Sequence, residues 1–508
     1  MRPVHALHFA AVDLGAESGR VMNAAFDGER FTLTEAHRFT NGPVQAGGTL
    51  YWDALRLFAE IKQGIKACAQ KAPLAGIGVD TWGVDFGLLD GTDELLGNPV
   101  HYRDTRTEGM MEKAFGRVPR QEIYECTGLQ FLPFNSLYQL LALSLRQPHR
   151  LAEARTFLTM PDLLNFWLSG RKGCEFTNAT TTQIVNPRTR TWARAMLDKI
   201  GIPNGFLPEI ISPGTILAPL LPSVAKETGA GNLPVIAPAC HDTGSAVAAA
   251  PLTSSRSAYI SSGTWSLVGV EVDAPVITPR TLAKNFTNEG GTDGRFRLLK
   301  NIMGMWLLQE CRRTWAQNGP ALPYDVLMHE AESAPAFGPL VDPDDAVFLA
   351  PGDMPTRLRA YCGRTGQTVP ENRPALLRCI FESLALKYRW VLLNLEDIVG
   401  WKIDCIHIIG GGSRNSLLCQ MTADACGKPV MAGPVEATAL GNALMQARAL
   451  GHIASLAEGR EIIRLSVEWT GYKPRPSEKW DTACHRFTKL NTELVDDLKR
   501  TGREHVGL

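Results

Sequence analysis

Apolar residues recur with helical spacing in several segments of the chain. Between Trp52 and Lys71 they occur every three or four positions, at Leu55, Phe58, Ile61, Ile65 and Ala69, which predicts an amphipathic helix. Residues 376–399 predict a longer, buried helix. Other helices are predicted to begin near Asn135 or Ser136, near Asn301 and near Asn415, to extend over 436–450, and to follow Gly471 near the end of the chain.

Pairs of short apolar runs joined by small residues predict two β-hairpins. The first joins residues 8–15 to residues 21–26 through a glycine-rich loop, and the second spans residues 258–270. Backbone N–H groups in such a turn can hold phosphate oxygens, although an ordinary glycine-rich hairpin is the simpler explanation of the first turn taken alone. The repetition of one design in both halves predicts a duplicated actin-like fold with a domain boundary near residues 250–256.

Three further apolar runs lead into polar or glycine-rich segments, as strands do where they end at a ligand site. Residues 75–80 precede the loop Thr81–Gly83, residues 233–237 precede His241 and Asp242, and residues 405–409 precede Gly410–Gly412. A carboxylate such as Asp242 can orient a hydroxyl group and take its proton, or it can simply cap the helix that follows. Trp82 can cover the apolar face of a sugar or belong to the core. Three successive glycines give a base or ribose access to the backbone, or form a tight turn.

Other stretches give weaker signals. Residues 201–238 contain many Pro and Gly residues and predict irregular connections. Residues 317–367 give little indication of regular secondary structure. The polar run at residues 177–183 predicts a solvated loop.

Length and composition restrict the class of protein. A chain of 508 residues predicts two domains, and 52 basic against 52 acidic residues give a formal net charge of +0. This balance gives no electrostatic basis for binding nucleic acid or an acidic membrane surface, so a small-molecule substrate is expected. The 11 cysteines contain no Cys-x-x-Cys pair, which argues against a zinc knuckle and a secreted disulfide framework. With no apolar run long enough for a signal peptide or a membrane span, we expect a cytoplasmic protein.

The sequence lacks several well-known catalytic motifs. It has no Gly-x-x-x-x-Gly-Lys-[Ser/Thr] loop, no Gly-x-Gly-x-x-Gly fingerprint, no Gly-x-Ser-x-Gly elbow and no His-Glu-x-x-His pair. It does have Asp13 at the end of the first predicted strand, where a carboxylate can hold Mg²⁺ through water. Together with the two hairpins, the glycine turn and Asp242, this predicts phosphoryl transfer from ATP to a hydroxyl group.

Over nearly its whole length the chain resembles the FGGY family of carbohydrate kinases. The resemblance lies in residues 11–21, 80–86, 178–183, 241–243, 261–267, 301–304 and 433–437. It implies an α/β fold of two ribonuclease-H-like (actin-like ATPase) domains with an interdomain active-site cleft. Residues 1–250 would bind the sugar and carry the phosphate hairpin, and residues 251–508 would bind the nucleotide and end in a helical tail.

The resemblance also implies a reaction and a set of site residues. The γ-phosphate of ATP would pass, with Mg²⁺, to the 1-hydroxyl of L-rhamnulose, giving L-rhamnulose 1-phosphate in L-rhamnose degradation. Asp242 would be the base and Asp13 the metal ligand. The sugar contacts would be Gly83, His241, Asp242, Thr243 and Asn301, and the ATP contacts Ala16, Glu17, Ser18, Gly19, Arg20, Thr264, Gln309 and Gly411.

Two features of the sequence bear on these implied roles, and several other functions remain as hypotheses. Glu17 departs from the small polar residue of the family, and a carboxylate beside polyphosphate is repulsive unless it points away or acts through magnesium. Cys362 and Cys379 match a pair that can be bridged in the family, and we expect free thiols. L-Fuculose, D-xylulose or L-ribulose are alternative substrates, because a few hydrogen bonds distinguish such sugars. A metal-dependent phosphohydrolase and a non-catalytic sugar sensor are the other hypotheses, and a monomer or homodimer is expected.

Overall fold

The computed structural model describes residues 6–252 and 254–501. The strands are β1 (Leu7–Leu14), β2 (Ser18–Phe26), β3 (Phe31–Thr40), β4 (Val44–Ala46), β5 (Thr49–Tyr51), β6 (Leu74–Thr81), β7 (Phe86–Leu89), β8 (Thr156–Thr159), β9 (Cys174–Glu175), β10 (Val185–Asn186), β11 (Thr191–Trp192), β12 (Ile210–Ile211), β13 (Thr215–Pro219), β14 (Pro234–Ala237), β15 (Ser257–Ser262), β16 (Trp265–Val272), β17 (Thr287–Gly290), β18 (Phe296–Met303), β19 (Cys405–Ile409), β20 (Val430–Ala432) and β21 (Thr470–Tyr472).

The α-helices are α1 (Ala54–Lys71), α2 (Met110–Phe115), α3 (Arg120–Thr127), α4 (Ser136–Arg146), α5 (Pro148–Glu153), α6 (Met160–Ser169), α7 (Phe176–Ala179), α8 (Arg194–Ile200), α9 (Pro222–Thr228), α10 (Asp242–Ala249), α11 (Pro279–Ala283), α12 (Trp306–Trp315), α13 (Tyr324–Ser333), α14 (Met354–Arg364), α15 (Arg373–Val399), α16 (Ser416–Cys426), α17 (Ala437–Ala449), α18 (Leu456–Ser466) and α19 (Glu478–Thr501). Short 3₁₀ turns include Thr180–Thr182 and Gly411–Arg414.

The chain forms two compact units, and each contains separate pieces of sequence. Unit 1 comprises Met1–Pro251, Glu271–Leu298 and Glu436–Glu468. Unit 2 comprises Leu252–Val270, Leu299–Val435 and Trp469–Leu508. The division into residues 1–250 and 251–508 stays a prediction, and residue 253 of the expected boundary region lies outside the described residues.

The main sheet of unit 1 places three strand ends at one edge. Its order is β13-β14-β6-β1-β2-β3, and the neighbours β14, β6 and β1 are parallel. Asp13 of β1 lies in register with Asp80 of β6. Thr81, the last residue of β6, forms an isolated parallel bridge with His241, which follows β14. The carboxyl ends of these strands therefore bring together residues that are distant in the sequence.

Helix α17 packs against α10 and against this sheet in unit 1. A Cβ atom at Gly441 would overlap the carbonyl oxygen of Ser245 in α10. On the sheet side, Asn442 donates to the carboxylate of Asp80 at 2.6 Å, and Gln446 donates to the carbonyl of Ala10 at 3.1 Å. Helix α17 thus fixes the position of α10 and satisfies polar groups of two central strands.

Unit 2 has its own sheet and a long central helix. Strands β15, β19 and β20 are parallel neighbours, while β16 and β21 join them antiparallel at either side. Helix α15 packs against α13, α16 and α19. More than half of the residues of α15 are buried, including Leu376, Phe381, Leu384 and Leu395. This confirms the long buried helix predicted from the sequence.

Both predicted hairpins are confirmed as antiparallel pairs, β1 with β2 and β15 with β16. The helices predicted near Asn135, near Asn415, over 436–450 and after Gly471 correspond to α4, α16, α17 and α19. Helix α1 is also confirmed, but Leu55 does not belong to its apolar face, because this side chain is 66% exposed. Leu57 is buried in its place, next to Ile61 and Ile65.

Three predictions of local structure were wrong, and one segment that gave little signal contains helices. The helix expected to begin near Asn301 starts instead at Trp306, and Asn301 lies on strand β18. A short apolar run does not distinguish a buried strand from a buried helix, which explains this error. Residues 201–238 contain β13 and α9, and residues 317–367 contain α13 and α14. The polar run 177–183, expected to be solvated, is buried throughout.

In the part of the chain that the structure describes, no helix has the length and apolar character needed to cross a membrane. Residues 1–5, which contribute to the expectation about the N-terminus, lie outside the described residues.

Candidate active site

In unit 1, Asp242 is the first residue of helix α10, which begins shortly after strand β14 ends. His241 is the N-cap residue and Asp242 the first helical residue, so the alternative that Asp242 is the N-cap is wrong. Its Oδ1 accepts a hydrogen bond from the backbone N–H of Thr243 at 2.5 Å. The side chain is 29% exposed, so solvent or a ligand can reach it. Burial raises the pKa of Asp242, partly opposed by His241, and this favours a carboxylate that accepts a proton.

His241 is held by charged groups from strands β17 and β18. Its Nε2 lies 3.3 Å from Oδ1 of Asp242. Its Nδ1 lies 3.3 Å from Oε2 of Glu289 and 3.1 Å from Nη2 of Arg297. Glu289 and Arg297 are themselves an ion pair at 3.2 Å, and the Arg297 side chain is fully buried. Sequence reasoning missed both residues, because no local motif links them to a histidine about fifty positions earlier.

The buried polar run that follows β9 fixes the backbone before Asp242. Oε2 of Glu175 accepts from the N–H of Cys240 at 2.8 Å, and the hydroxyl of Thr177 accepts from the N–H of His241 at 3.1 Å. Asn178 donates to the carbonyl of Cys240 at 3.4 Å. Burial raises the pKa of Glu175 to about 7. These side chains replace water as partners of the strand-to-helix turn, which explains why a polar run is buried here.

Asp13, predicted to hold a metal, is paired with Arg20. Nε and Nη2 of Arg20 donate to the same oxygen, Oδ2 of Asp13, at 2.9 and 2.6 Å. Nη1 of Arg20 lies 2.5 Å from Glu436. The guanidinium group predicted to contact ATP is therefore directed at two carboxylates. Residues 15–17 form the hairpin turn, and Ser18, Gly19 and Arg20 begin strand β2. Burial and the charge of Asp13 raise the pKa of Asp80 well above its ordinary value.

Trp82 belongs to the core rather than to an open sugar platform. Its ring lies against Trp52 with centroids 4.0 Å apart, and both indole N–H groups donate to Oδ2 of Asp85. Gln139 donates to the other carboxylate oxygen at 2.9 Å. Burial raises the pKa of Asp85 to about 6. Neighbouring Gly83 has no space for a side chain, because a Cβ atom would lie 2.7 Å from the hydroxyl of Thr181.

Unit 2 contains the glycine-rich turns predicted to contact ATP. The hairpin turn at Gly263 and Thr264 is held by the N–H groups of Gly304 and Met305, which donate to its carbonyl oxygens at 3.1 and 3.0 Å. Gly410, after β19, has φ of +81°, a conformation that favours glycine. The space around Gly411 is open, with no atom within 4 Å of a Cβ built there.

Gln309, another predicted ATP contact, has a side-chain oxygen that no described protein group satisfies. It lies on α12, and its buried Oε1 has no hydrogen-bond partner among the described residues. Asn301 lies on β18 in the same unit. The structure thus places Thr264, Gln309, Gly411 and Asn301 in unit 2, and the remaining predicted site residues in unit 1.

Comparison with known proteins gives the family. The N-terminal domain of the FGGY family of carbohydrate kinases matches residues 9–249, and its C-terminal domain matches residues 258–450. The chain belongs to the FGGY family of carbohydrate kinases. It is therefore a kinase that uses ATP, and the predicted two-domain α/β fold of actin-like type is confirmed.

Two curated relatives are similar over almost the whole chain. A rhamnulokinase of Bacteroides thetaiotaomicron is 47% identical over 481 residues, which are 94% of this chain and 98% of the relative. A rhamnulokinase of Pectobacterium atrosepticum is 43% identical over 487 residues, 95% of this chain and 96% of the relative. Among solved structures, a ligand-bound xylulose kinase from Lactobacillus acidophilus has a TM-score of 0.76 at 20% identity, covering 97% of this chain and 98% of its own. That likeness concerns the fold alone.

Proposed function

We propose that this kinase transfers the γ-phosphate of ATP to the 1-hydroxyl of L-rhamnulose, giving L-rhamnulose 1-phosphate in L-rhamnose degradation. The similarity to two rhamnulokinases over almost the full length supports this sugar as the substrate. The observation that carries the chemistry is the position of Asp242 at the N-terminus of α10, partly exposed and with a raised pKa.

In this proposal Asp242 accepts the proton of the sugar's 1-hydroxyl as that oxygen attacks the γ-phosphate. His241 and Thr243 flank the same carboxylate. Gly83 lies two residues after the end of the neighbouring strand β6. The positive end of the helix dipole of α10 favours a negative charge near Asp242. Phosphoryl transfer needs mainly positioning and charge neutralisation, which such an arrangement provides.

For the nucleotide, we propose contacts with residues 16–20 of the first hairpin and with Thr264, Gln309 and Gly411. The unpartnered Oε1 of Gln309 and the open space at Gly411 fit a nucleoside. We also propose that Asp13 holds Mg²⁺ through water. Both bonds from Arg20 end on Oδ2, so Oδ1 is the oxygen proposed for the hydrated ion, which needs few protein carboxylates. Bound Mg²⁺ would neutralise charge on the polyphosphate.

The proposal includes a cytoplasmic enzyme that acts as a monomer or homodimer and binds no nucleic acid. The free thiols of the cysteines and the equal numbers of basic and acidic residues support it. Sizing chromatography with light scattering measures the oligomeric state.

The decisive experiment measures ADP release with L-rhamnulose, L-fuculose, D-xylulose and L-ribulose, each with Mg²⁺ and with excess chelator. We expect the highest kcat/KM with L-rhamnulose, a phosphate on its 1-oxygen by ³¹P NMR, and no turnover in chelator. A higher kcat/KM with another ketose would replace the proposed substrate. Release of inorganic phosphate from sugar phosphates without ATP would indicate a phosphohydrolase, and no sugar-dependent ADP would indicate a sensor.

A further inference from the structure

Arg297 and Glu289 form a buried ion pair that contacts His241 on the side away from Asp242. A single nitrogen of Arg297, Nη2, lies 3.2 Å from Oε2 of Glu289 and 3.1 Å from Nδ1 of His241. Nε of the same guanidinium donates to the carbonyl of Gly290 at 2.8 Å. Nη2 can therefore donate a hydrogen bond to the imidazole, while the charge of the guanidinium group attracts the nearby carboxylate of Glu289.

This contact determines which nitrogen of His241 carries the proton. A guanidinium group can only donate hydrogen bonds, so Nδ1 of His241 must accept. A neutral imidazole with an accepting Nδ1 carries its hydrogen on Nε2. Nε2 is the atom that lies 3.3 Å from Oδ1 of Asp242. His241 therefore presents an N–H group to the carboxylate.

Without Arg297 the opposite tautomer would be favoured. Oε2 of Glu289 also lies 3.3 Å from Nδ1 of His241, and a carboxylate can only accept. A direct contact between them requires a hydrogen on Nδ1, and in a neutral imidazole this leaves a lone pair on Nε2 facing Asp242. Donation from Nη2 of Arg297 occupies the lone pair of Nδ1 of His241 and prevents this.

We propose that Arg297, held in place by Glu289, is a positioning residue that fixes His241 as the Nε2–H tautomer. The Nε2–H group then orients the carboxylate of Asp242 for the hydroxyl of the sugar. The effect on catalysis rests on the proposed function, but the tautomer of His241 is a property of the protein without substrate.

The first test is Arg297→Met, which removes the donor, keeps an apolar side chain of similar reach and leaves Glu289 in place. We expect the hydrogen of His241 to move to Nδ1, detected by long-range ¹H–¹⁵N NMR of histidine-labelled protein with the signal assigned through His241→Gln. We expect kcat to fall about 10- to 100-fold, since a small misplacement of a catalytic group has effects of this size. KM for ATP should change less than twofold.

The second test is the double variant Glu289→Gln with Arg297→Met. The amide of glutamine can donate to Nδ1 where the carboxylate cannot, so the Nε2–H tautomer should return. We expect the double variant to recover at least a tenth of wild-type kcat and to exceed Arg297→Met. A purely structural role for the pair predicts the reverse, because the second substitution would only add damage. Glu289→Gln alone, which keeps Arg297, should retain the tautomer and lose kcat only a few-fold.

Arg460→Met is the matched control. Arg460 forms an ion pair with Glu271 at 2.9 Å and donates to the carbonyl of Val247, near the C-terminal end of the same helix α10. It should lower thermal stability as Arg297→Met does and leave kcat within about twofold. The proposal is overturned if Arg297→Met keeps the Nε2–H signal, or if its kcat equals that of Arg460→Met. If the wild type phosphorylates none of the ketoses, the proposed function fails, while the NMR result still decides the role of Arg297.

Discussion

The carboxylate of Asp242 combines partial exposure with a raised pKa, and both properties derive from its place at the first residue of α10. In Asp242→Asn the amide oxygen can still accept from the N–H of Thr243, so the local turn is kept. The amide cannot take a proton, and we expect kcat to fall about 10²- to 10⁴-fold, the usual contribution of a general base. ADP affinity, measured by calorimetry, should change less than twofold. Turnover near that of the wild type would exclude Asp242 as the base.

The buried carboxyl group of Asp162 should make the stability of the folded protein depend on pH. It is fully buried, and its oxygens accept from the hydroxyl of Thr159 and, at 3.1 Å, from the N–H of Glu175. Burial raises its pKa to about 8, whereas an aspartate in an unfolded chain has a pKa near 4. Between these values the folded protein keeps a proton that the unfolded chain has released. This stabilising contribution is complete below about pH 4 and is lost as the pH rises through about 8.

Asp162→Asn should remove this dependence, because asparagine can accept from the N–H of Glu175 and donate to Thr159 without carrying a charge. We expect the wild-type urea midpoint to fall between pH 5 and pH 8, and the variant to lose less and to be more stable than the wild type at pH 8. Glu332→Gln, at an exposed position, should leave the slope unchanged. An identical slope in wild type and Asp162→Asn would contradict the assignment.

Most of the residues that sequence analysis identified lie next to a turn or at a strand end, although Gln309 lies on α12 and Asn301 within β18. Asp13 and Asp242 follow apolar runs, and that pattern is visible in one sequence. Arg297 could not be found in this way, since its contact with His241 joins positions 56 residues apart. Trp82 has the same neighbours in sequence whether it faces a sugar or Trp52, so only the fold distinguishes these alternatives.

Among the elements, helices α10 and α17 pack so closely that no space is left for a methyl group at Gly441. Gly441→Ala would place a methyl group on the carbonyl of Ser245 and push α10 away from α17. We expect a loss of about 1–3 kcal/mol in the free energy of unfolding, and a fall in kcat because Asp242 moves with its helix. Urea denaturation and ADP-release assays measure the two effects.

Gly363→Ala is a suitable control within another helix, α14. A Cβ atom there would lie 3.7 Å from the side chain of Val369, which is ordinary contact. Alanine in place of a helical glycine should stabilise by about 0.5–1 kcal/mol and leave kcat unchanged. If Gly441→Ala behaves like Gly363→Ala, the packing of α10 on α17 does not limit activity.

Among helices and strands, the sequence predicted those with strong local periodicity. It missed the segments whose secondary structure depends on residues distant in the sequence. Helix α15 and the two hairpins carry local signals sufficient for a prediction. The segment containing Asn301 carries no such signal, because it forms strand β18 only by pairing with other strands of a sheet. Residues 177–183 are buried because they serve the backbone at His241, a use of polar side chains that composition does not reveal.

For the molecule as a whole, the proposal assigns the nucleotide contacts of Thr264 and Gln309 to unit 2. A substitution of Lys387 can test this assignment. The buried ammonium group of Lys387 lies 2.8 Å from Asp342 and 2.9 Å from Asp344. Asp344 accepts from the N–H of Met303, next to the residues that hold the turn at Thr264.

Lys387→Met would remove a cation from the buried carboxylate of Asp344 and the partly buried carboxylate of Asp342, which destabilises by about 3–5 kcal/mol. We expect KM for ATP to rise more than KM for the ketose, as measured by steady-state kinetics below the unfolding temperature. Lys428→Met, which breaks an ion pair of 2.7 Å with Glu396 elsewhere in unit 2, should lower stability and leave both KM values unchanged. Equal increases in both KM values in Lys387→Met would argue against the assignment.

The contribution of α17 to unit 1 has a consequence for how the protein is made. Residues 437–449 complete the packing around β1, β6 and α10, yet they leave the ribosome after nearly all of unit 2. The first 251 residues must therefore wait during translation with one face of their central strands uncovered. Exposed apolar surface of this kind is prone to aggregation, and a truncated gene ending at residue 251 is expected to give inclusion bodies rather than a usable N-terminal domain.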